Sequence, residues 1–402
     1  MNPAGGARGR LAALVGFGLR VGLGLAAGCR SRDIVASAGA DAPGYCSGAS
    51  PVILRGPLPG PRAIPAVCTG SVAVRAFPRA LCTCEGYATS TPLDTDSFDS
   101  ASGPYAPGGS SGDVGLDGEL RTTAVVTVAG SATVAGAAGA ALLADLHVAH
   151  DLEVGGPLGT GVTVTAGGDA RIAGNVDLAA LGVAGTLTVP PAATLTGTIT
   201  AGTTVRAAVA IAPPCECGSP DLVDVAGLVA EHATDNQDAA IGLSPDRFTG
   251  YHGDATLDLP CGIYYLGAVM GDGALTLRIT GKVALLIAGD VALTAPLTVE
   301  LDTDDAELDL LISGIVSIDH ALVIGRVDHP ARTRVYVGGT GTIDLSGDSQ
   351  LATNFYAPHA AVALSANATV YGSLFVRRLD QAAPLAIHYD VDVRRADIAC
   401  PP

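Results

Sequence analysis

"ALLIAGDVALTAPLTV" begins at Ala284, "DLLISGIVSIDHALVI" at Asp309, "RVYVGGTGTIDLSGDSQL" at Arg334 and "TNFYAPHAAVALSANATV" at Thr353, and "GSLFV" opens a fifth unit at Gly372. The starts of successive units are offset by 25, 25, 19 and 19, the longer spacings arising from polar inserts, "DTDDAE" at 302–307 and "RVDHPA" at 326–331. A strand-rich repeat of roughly 20 residues marks a solenoid. Within a unit the apolar residues alternate: Leu285, Ile287, Val291 and Leu293 point one way, Ala284, Leu286, Ala292 and Thr294 the other. Gly289, Gly314, Gly339, Gly347 and Pro358 supply turn chemistry between the runs. Short strands joined by tight corners, one turn per repeat, predict an all-β protein, a right-handed parallel β-helix whose inward faces fill a central core.

Composition agrees with a narrow bore. Of the 402 residues 48% are hydrophobic but only 4% aromatic, with no Trp, while 53 Gly and 25 Pro serve corners. The net charge is −17 and Lys282 is the only lysine, a poor match to nucleic acid or anionic lipid. Residues 1–28 read as a lipoprotein-type signal peptide: Arg8 and Arg10, an apolar run from Leu11 interrupted by Arg20, then Leu25-Ala26-Ala27-Gly28-Cys29, which resembles the bacterial lipoprotein box. That resemblance makes Cys29 the lipidated residue and a membrane the partner through the lipid. Eight further cysteines, Cys46, Cys68, Cys82, Cys84, Cys215, Cys217, Cys261 and Cys400, read as four disulfides in an exported chain. Their connectivity stays open, with Cys261 expected to reach Cys215 or Cys217 and Cys400 to pin the C-terminus.

The chain divides as follows. Residues 29–44 are a tether and 45–120 a Cys-rich N-terminal cap or leader. Residues 121–212 form the first half of the β-helix. An inserted helix and its connection span 213–247, the helix itself covering 220–234 with Ser219 as cap, Pro220 at its first position and a stripe of Leu222, Val225, Leu228 and Val229 against the solenoid flank. Residues 248–393 are the second half and 394–402 a tail.

"LPCGIYYL" (259–266), "GALTLRITGKVALLIAGDVALT" (273–294), "NFYAPHAAVALSANATVYGSLF" (354–375) and "IHYD" (387–390) resemble a bacterial β-helix domain of unknown function. That domain occurs at the C-terminal end of pilus-assembly, minor-pilin-like proteins and in secreted lipoproteins of Gram-negative bacteria. The resemblance spans roughly 205–393, supplies no catalytic residues and implies an envelope or surface role. The hydrophobic pilin-type N-terminal helix is lacking, so a place inside a pilus shaft is not implied.

Candidate sites are sparse. Asp319 and Asp344, 25 apart, are expected to stack on adjacent turns as a carboxylate pair, the minimum for a carbohydrate-active enzyme. Asp94, Asp96 and Asp99 have the spacing of weak calcium ligands. His147 and His150 with Asp145 and Asp151 are a metal candidate if a corner gathers them, and His388-Tyr389-Asp390 reads as a polar cap near the last turn. Thr186, Thr188, Thr194, Thr196, Thr198 and Thr200 raise ice binding if they share one flat face. No cofactor is called for. The expectation is a non-catalytic cell-envelope or surface lipoprotein, outer-membrane or extracellular, that is structural or adhesive toward a glycan or envelope protein. A carbohydrate-active β-helix enzyme and an ice-binding solenoid are the alternatives.

Overall fold

The computed structural model describes residues 43–56, 66–218, 222–345, 347 and 349–401. Cys29 and the signal peptide lie outside them, as do Ser219 and Pro220. The strands form a parallel β-helix with one 31-stranded sheet wound around three sides. On one side the ladder runs through Ala255–Leu259, Leu275–Ile279, Leu297–Leu301, Leu322–Ile324, Ser349–Leu364, Ala368–Gln381 and Leu385–Asp390. It then passes to Leu93–Phe98, Val126–Val128, Leu146–Val148, Thr163–Ala166, Val176–Val189 and Leu195–Arg206. Thirteen strands spaced ~4.8 Å apart make a stack about 58 Å long.

That order overturns the expected one. The segment 81–206 does not precede 249–390 along the axis; it stacks on its far end. The seam is a continuous parallel ladder on all three sides: Leu81 pairs with Leu374, Leu379 with Tyr87 and Leu385 with Leu93. The chain therefore starts in the middle, climbs to one end at Arg206, returns along the flank and climbs again from Thr249 to the seam. Residues 81–120 are thus not a cap but turns of the solenoid. Their strands, such as Leu81–Thr83 and Tyr87–Thr89, are too short to show periodicity, and a loop at 99–113 interrupts them.

One side is covered. Strand Lys282–Ile287 buries both faces, as do Glu307–Ile312 and Thr333–Val337. Inward residues meet the bore. The outward Leu286, Leu311, Tyr336, Tyr356 and Phe375 meet two flanking segments. From the N-terminal segment come α1 (Gly44–Ser47), α2 (Thr69–Ala76) and Phe77, whose ring lies 5.6 Å from that of Tyr336. From the returning strap come α3 (Val225–Glu231), against Glu307–Ile312, and α4 (Asp238–Ile241), against the first turn. The helix is shorter than expected. Asp224, rather than Ser219, caps it by accepting from Gly227 N at 2.9 Å. Val225, Leu228 and Val229 are buried as the stripe requires.

All eight remaining cysteines are paired, and every bridge ties a flank to the solenoid or to the tail. Cys46 joins Cys261, Cys68 joins Cys400, Cys82 joins Cys215 and Cys84 joins Cys217. The expected bond from Cys261 to Cys215 or Cys217 is not formed, because the first turn and the seam turn lie half a solenoid apart.

Candidate functional site

The second side carries a groove of about 730 Å³ crossing the seam. Its floor is one outward column, one residue per turn: Asp344, Ala363, Asp380, Ala88, Arg121 and Ala141. Small residues alternate with charged ones, so the column is a shelf with charged posts. Ser90, Thr123, Thr160, Leu143 and Ser365 line the adjoining corner. Leu143 is 65% exposed, more than the other large apolar side chains among the described residues apart from Ile398. Thr160 holds φ 112°, the only non-glycine with positive φ among the described residues. Such a backbone costs on the order of 1–3 kcal/mol and persists where surroundings enforce it.

The charges in the groove differ in how far they are neutralised. Asp380 is held by Arg378 at 2.8 Å and Arg121 by Glu119 at 2.7 Å. Asp344 accepts only from Ser365 Oγ, at 3.4 Å, among the described residues. Asp319 is exposed and does not line the groove. The expected stacking of Asp319 on Asp344 is also wrong by two positions. Ile318 pairs with Leu345, because the corner Gly338-Gly339-Thr340-Gly341 is longer than the matching corner one turn earlier.

The third side holds a second cluster. Asp96 accepts from Tyr105 OH through Oδ2 at 2.7 Å, and His388 Nδ1 lies 2.6 Å from its Oδ1. The Tyr105 and Tyr371 rings sit 4.1 and 4.9 Å from the imidazole. Burial, then Asp96, raises the Tyr105 phenol well above its ordinary pKa, so it stays a donor. The cluster fastens the 99–113 loop to the seam. Asp96 is therefore engaged within the protein, and Asp99 caps Ala101 N and pairs with Arg395. Asp94, Asp96 and Asp99 do not converge, and among the described residues no three potential metal ligands gather. His388-Tyr389-Asp390 is not at the end of the stack but at the seam. Tyr389 OH donates to Phe77 O at 2.7 Å, and buried Asp390 accepts from Ser100, Ala331 and Asp392 amides.

The remaining candidates disperse. His147 meets Thr165 Oγ1 at 3.0 Å, while Asp145 and Asp151 accept from Thr163 N and Asp169 N of the next turn. Thr186 and Thr188 lie on the covered side, Thr196 on the groove side, and Thr198 and Thr200 on the third. They share no flat face. A different rank, missed in the sequence, is Thr256, Thr276 and Thr298, stacked in register and then broken by Val323 and Gln350. Its neighbouring column is charged, with Arg278 between Asp258 and Glu300.

A buried ion pair also went unread. Arg334 binds Asp309 in bidentate fashion at 2.6 and 2.9 Å and Glu307 at 3.0 Å under the covered side. The offset of 25 places Asp309 and Arg334 on the same spot of successive turns, which was the available signal.

A family model described as a domain of unknown function, DUF7305, matches residues 216–396, from the strap to the tail, and over that stretch the chain is similar to it. The match contains no link to pilus assembly. No curated protein and no solved structure matches the chain.

Proposed function

We propose that the protein is a non-catalytic, exported β-helix module of the cell envelope or surface, lipidated at Cys29, that holds a glycan chain in the groove across its seam. The observation that carries this reading is the groove: a long shelf with a residue every ~4.8 Å, hydroxyls along it, the Asp344 carboxylate with no cationic partner among the described residues, and a rigid sheet beneath. Repeated polar groups on a stiff ladder suit a repeating hydroxylated polymer. Four disulfides, the lipoprotein-like leader and the acidic surface support export. The resemblance to domains of pilus-assembly proteins and secreted lipoproteins adds a surface setting.

The test is binding of the full chain, purified in mild detergent, to a panel of bacterial and plant glycans, with release of reducing ends followed in parallel. Saturable binding without release, weakened at least ~10-fold by Leu143→Asp or Asp344→Ala (about 1.4 kcal/mol), is the expected result. Release of reducing ends would replace the proposal with a carbohydrate-active enzyme. Asp344 and Asp380, two turns or ~9.6 Å apart along the ladder, would then be the acids to test. No binding by any glycan would leave a purely structural envelope component.

A further inference from the structure

The two ends of the solenoid are built differently. At the first turn, the strap closes over the edge of strand Gly262–Leu266. Gln237 N donates to Ile263 O at 2.8 Å, Gln237 Oε1 accepts from Ile263 N, and Asp238 Oδ1 accepts from Tyr265 N at 3.0 Å. Ile241, Leu243 and Phe248 are buried there as a plug. At the other end, Leu195–Arg206 is the last strand on all three sides and pairs only with Val176–Val189 below it. Val176 N bonds Thr194 O and Ala207 N bonds Val189 O. In a parallel ladder alternate residues bond opposite neighbours, so Leu195, Thr204 and Arg206 direct their amides away from the stack. Leu195, Ile199 and Ala201 continue the inward columns of Val176, Leu181 and Val183, yet they are only partly buried. Among the described residues the bore is open here, crossed at one corner by Arg206, which reaches the Pro190 and Ala193 carbonyls.

Free edges are ordinarily blunted with lysine, proline, bulges or inward charge. The terminal strand contains no proline and no charge except Arg206. Between Asp177 and Glu216 there is no acidic residue and no lysine, in a chain with 39 Asp and Glu. Repulsion between copies of this −17 protein is therefore weakest at this end. Neither described chain terminus serves as a cover either, since Cys46 is bonded to Cys261 in the opposite, first turn and the tail is held at the seam by Arg394 on Pro78 O and by Cys400 on Cys68.

We infer that the open turn Leu195–Arg206 is an interface with a second copy of this chain, the two solenoids meeting end to end about a two-fold axis. Turning one copy over makes the facing edge strands antiparallel, which is a self-complementary arrangement. At the other end the strap covers the Gly262–Leu266 edge, and the adjoining edge strand Ala255–Leu259 carries Asp258, with Asp254 just before it, so like charge opposes growth there and the expected product is a closed dimer and not a filament. The bore becomes one continuous core, and two grooves point outward from a common axis.

The measurement is the mass of the full chain in mild detergent by light scattering at about 10 μM, where a Kd near ~1 μM leaves most chains paired. Amide exchange at Leu195, Thr204 and Arg206 is followed alongside it. The expected protein mass is twice that of the purified chain, which is 39.8 kDa before a signal peptide is removed. The double variant Leu195→Lys/Ile199→Lys, at partly exposed positions of the last turn, should be monomeric with an unchanged circular dichroism spectrum. Exchange of the three amides should be at least ~10-fold faster in that monomer. If the variant misfolds, Thr204→Lys alone replaces it. A wild-type monomer with fast exchange overturns the inference. So does a monomer with protected amides, which would mean that the chain covers its own edge. An assembly that survives both variants, or an open-ended one, overturns it as well.

Discussion

Asp309 and Arg334 occupy the one place among the described residues where a charge pair is taken wholly out of water. The pair is bidentate, with the Ala331 carbonyl taking a third guanidinium donor at 3.0 Å. Removing one partner strands the other, so Arg334→Met should cost about 3–5 kcal/mol, while Asp309→Leu/Arg334→Met together should cost far less. Thermal unfolding of the three proteins checks this, and equal losses in single and double variants would refute it. Asp390 gives a pH dependence. Burial raises its carboxyl pKa above the ordinary value against the pull of the amides it accepts from. With the folded value above the unfolded one, its contribution is full below the ordinary carboxylate range and is lost as pH rises through the raised value. Stability measured from pH 3 to pH 7 should therefore show a downward component in the wild type that is absent in Asp390→Asn. A second residue-scale pattern was legible but unread: Gly-Asp or Gly-Asn just before a strand. Asp169 takes Thr186 N at 2.7 Å, Asn175 takes Thr194 N, Asp254 takes Ala274 N and Asp290 takes Ile315 N, each one turn on. Part of the acidity that makes the chain a poor match to nucleic acid is thus corner hydrogen bonding.

At the scale of elements, the strap from 207 to 248 is a short-helix segment held by contacts and bridges. Cys82–Cys215 and Cys84–Cys217 each close 133 residues. A loop that size is worth about 5 kcal/mol in the chain-entropy account, but the second bridge closes a loop already closed by the first. Replacing either pair by serine should lower the melting temperature slightly; replacing both should lower it far more than the sum. Additive losses would show that each bridge acts through local geometry. An error of register belongs to this scale as well. Arg334 pairs with Asn354 and not Thr353, a shift of one from the offset of 19, and it turns Thr353 inward to donate to Thr333 O at 3.0 Å. Phe355 and Tyr356 are both apolar enough to face inward, so "TNFYA" left that register open until the corners were placed.

For the whole molecule the defining feature is the seam, where the turn after Leu385–Asp390 is supplied by Leu81–Thr83 rather than by the residues that follow. Arg394 Nη2 donates to Pro78 O at 2.9 Å, which puts the end of one half beside the start of the other. A circular permutant that keeps the N-terminal flank and the tail, joining Pro401 to Pro43 by a Gly-Ser linker across the cavity that Ala49 and Ala399 both line, with new ends between Ala208 and Val209, should run along the axis in simple order. Its far-UV spectrum should match the parent, and its folding should be faster because long-range contacts become local. Aggregation of a permutant in which both halves are intact would contradict the continuity of the seam.

By itself the sequence determined the class of fold, because alternation, a repeat of about 20 residues and corner glycines act locally and recur. It determined that eight cysteines pair, and it placed one apolar helical stripe at Val225, Leu228 and Val229. Only the tertiary structure decided the order of the two halves. Nothing local distinguishes a turn that pairs with its successor from one that pairs with a strand at the other end of the chain, since any parallel strand offers the same backbone groups and the same inward Val or Leu. That order then decided the rest: which cysteines meet, which outward faces are covered, and that Asp344, Asp380 and Arg121 line one groove while Asp319 does not.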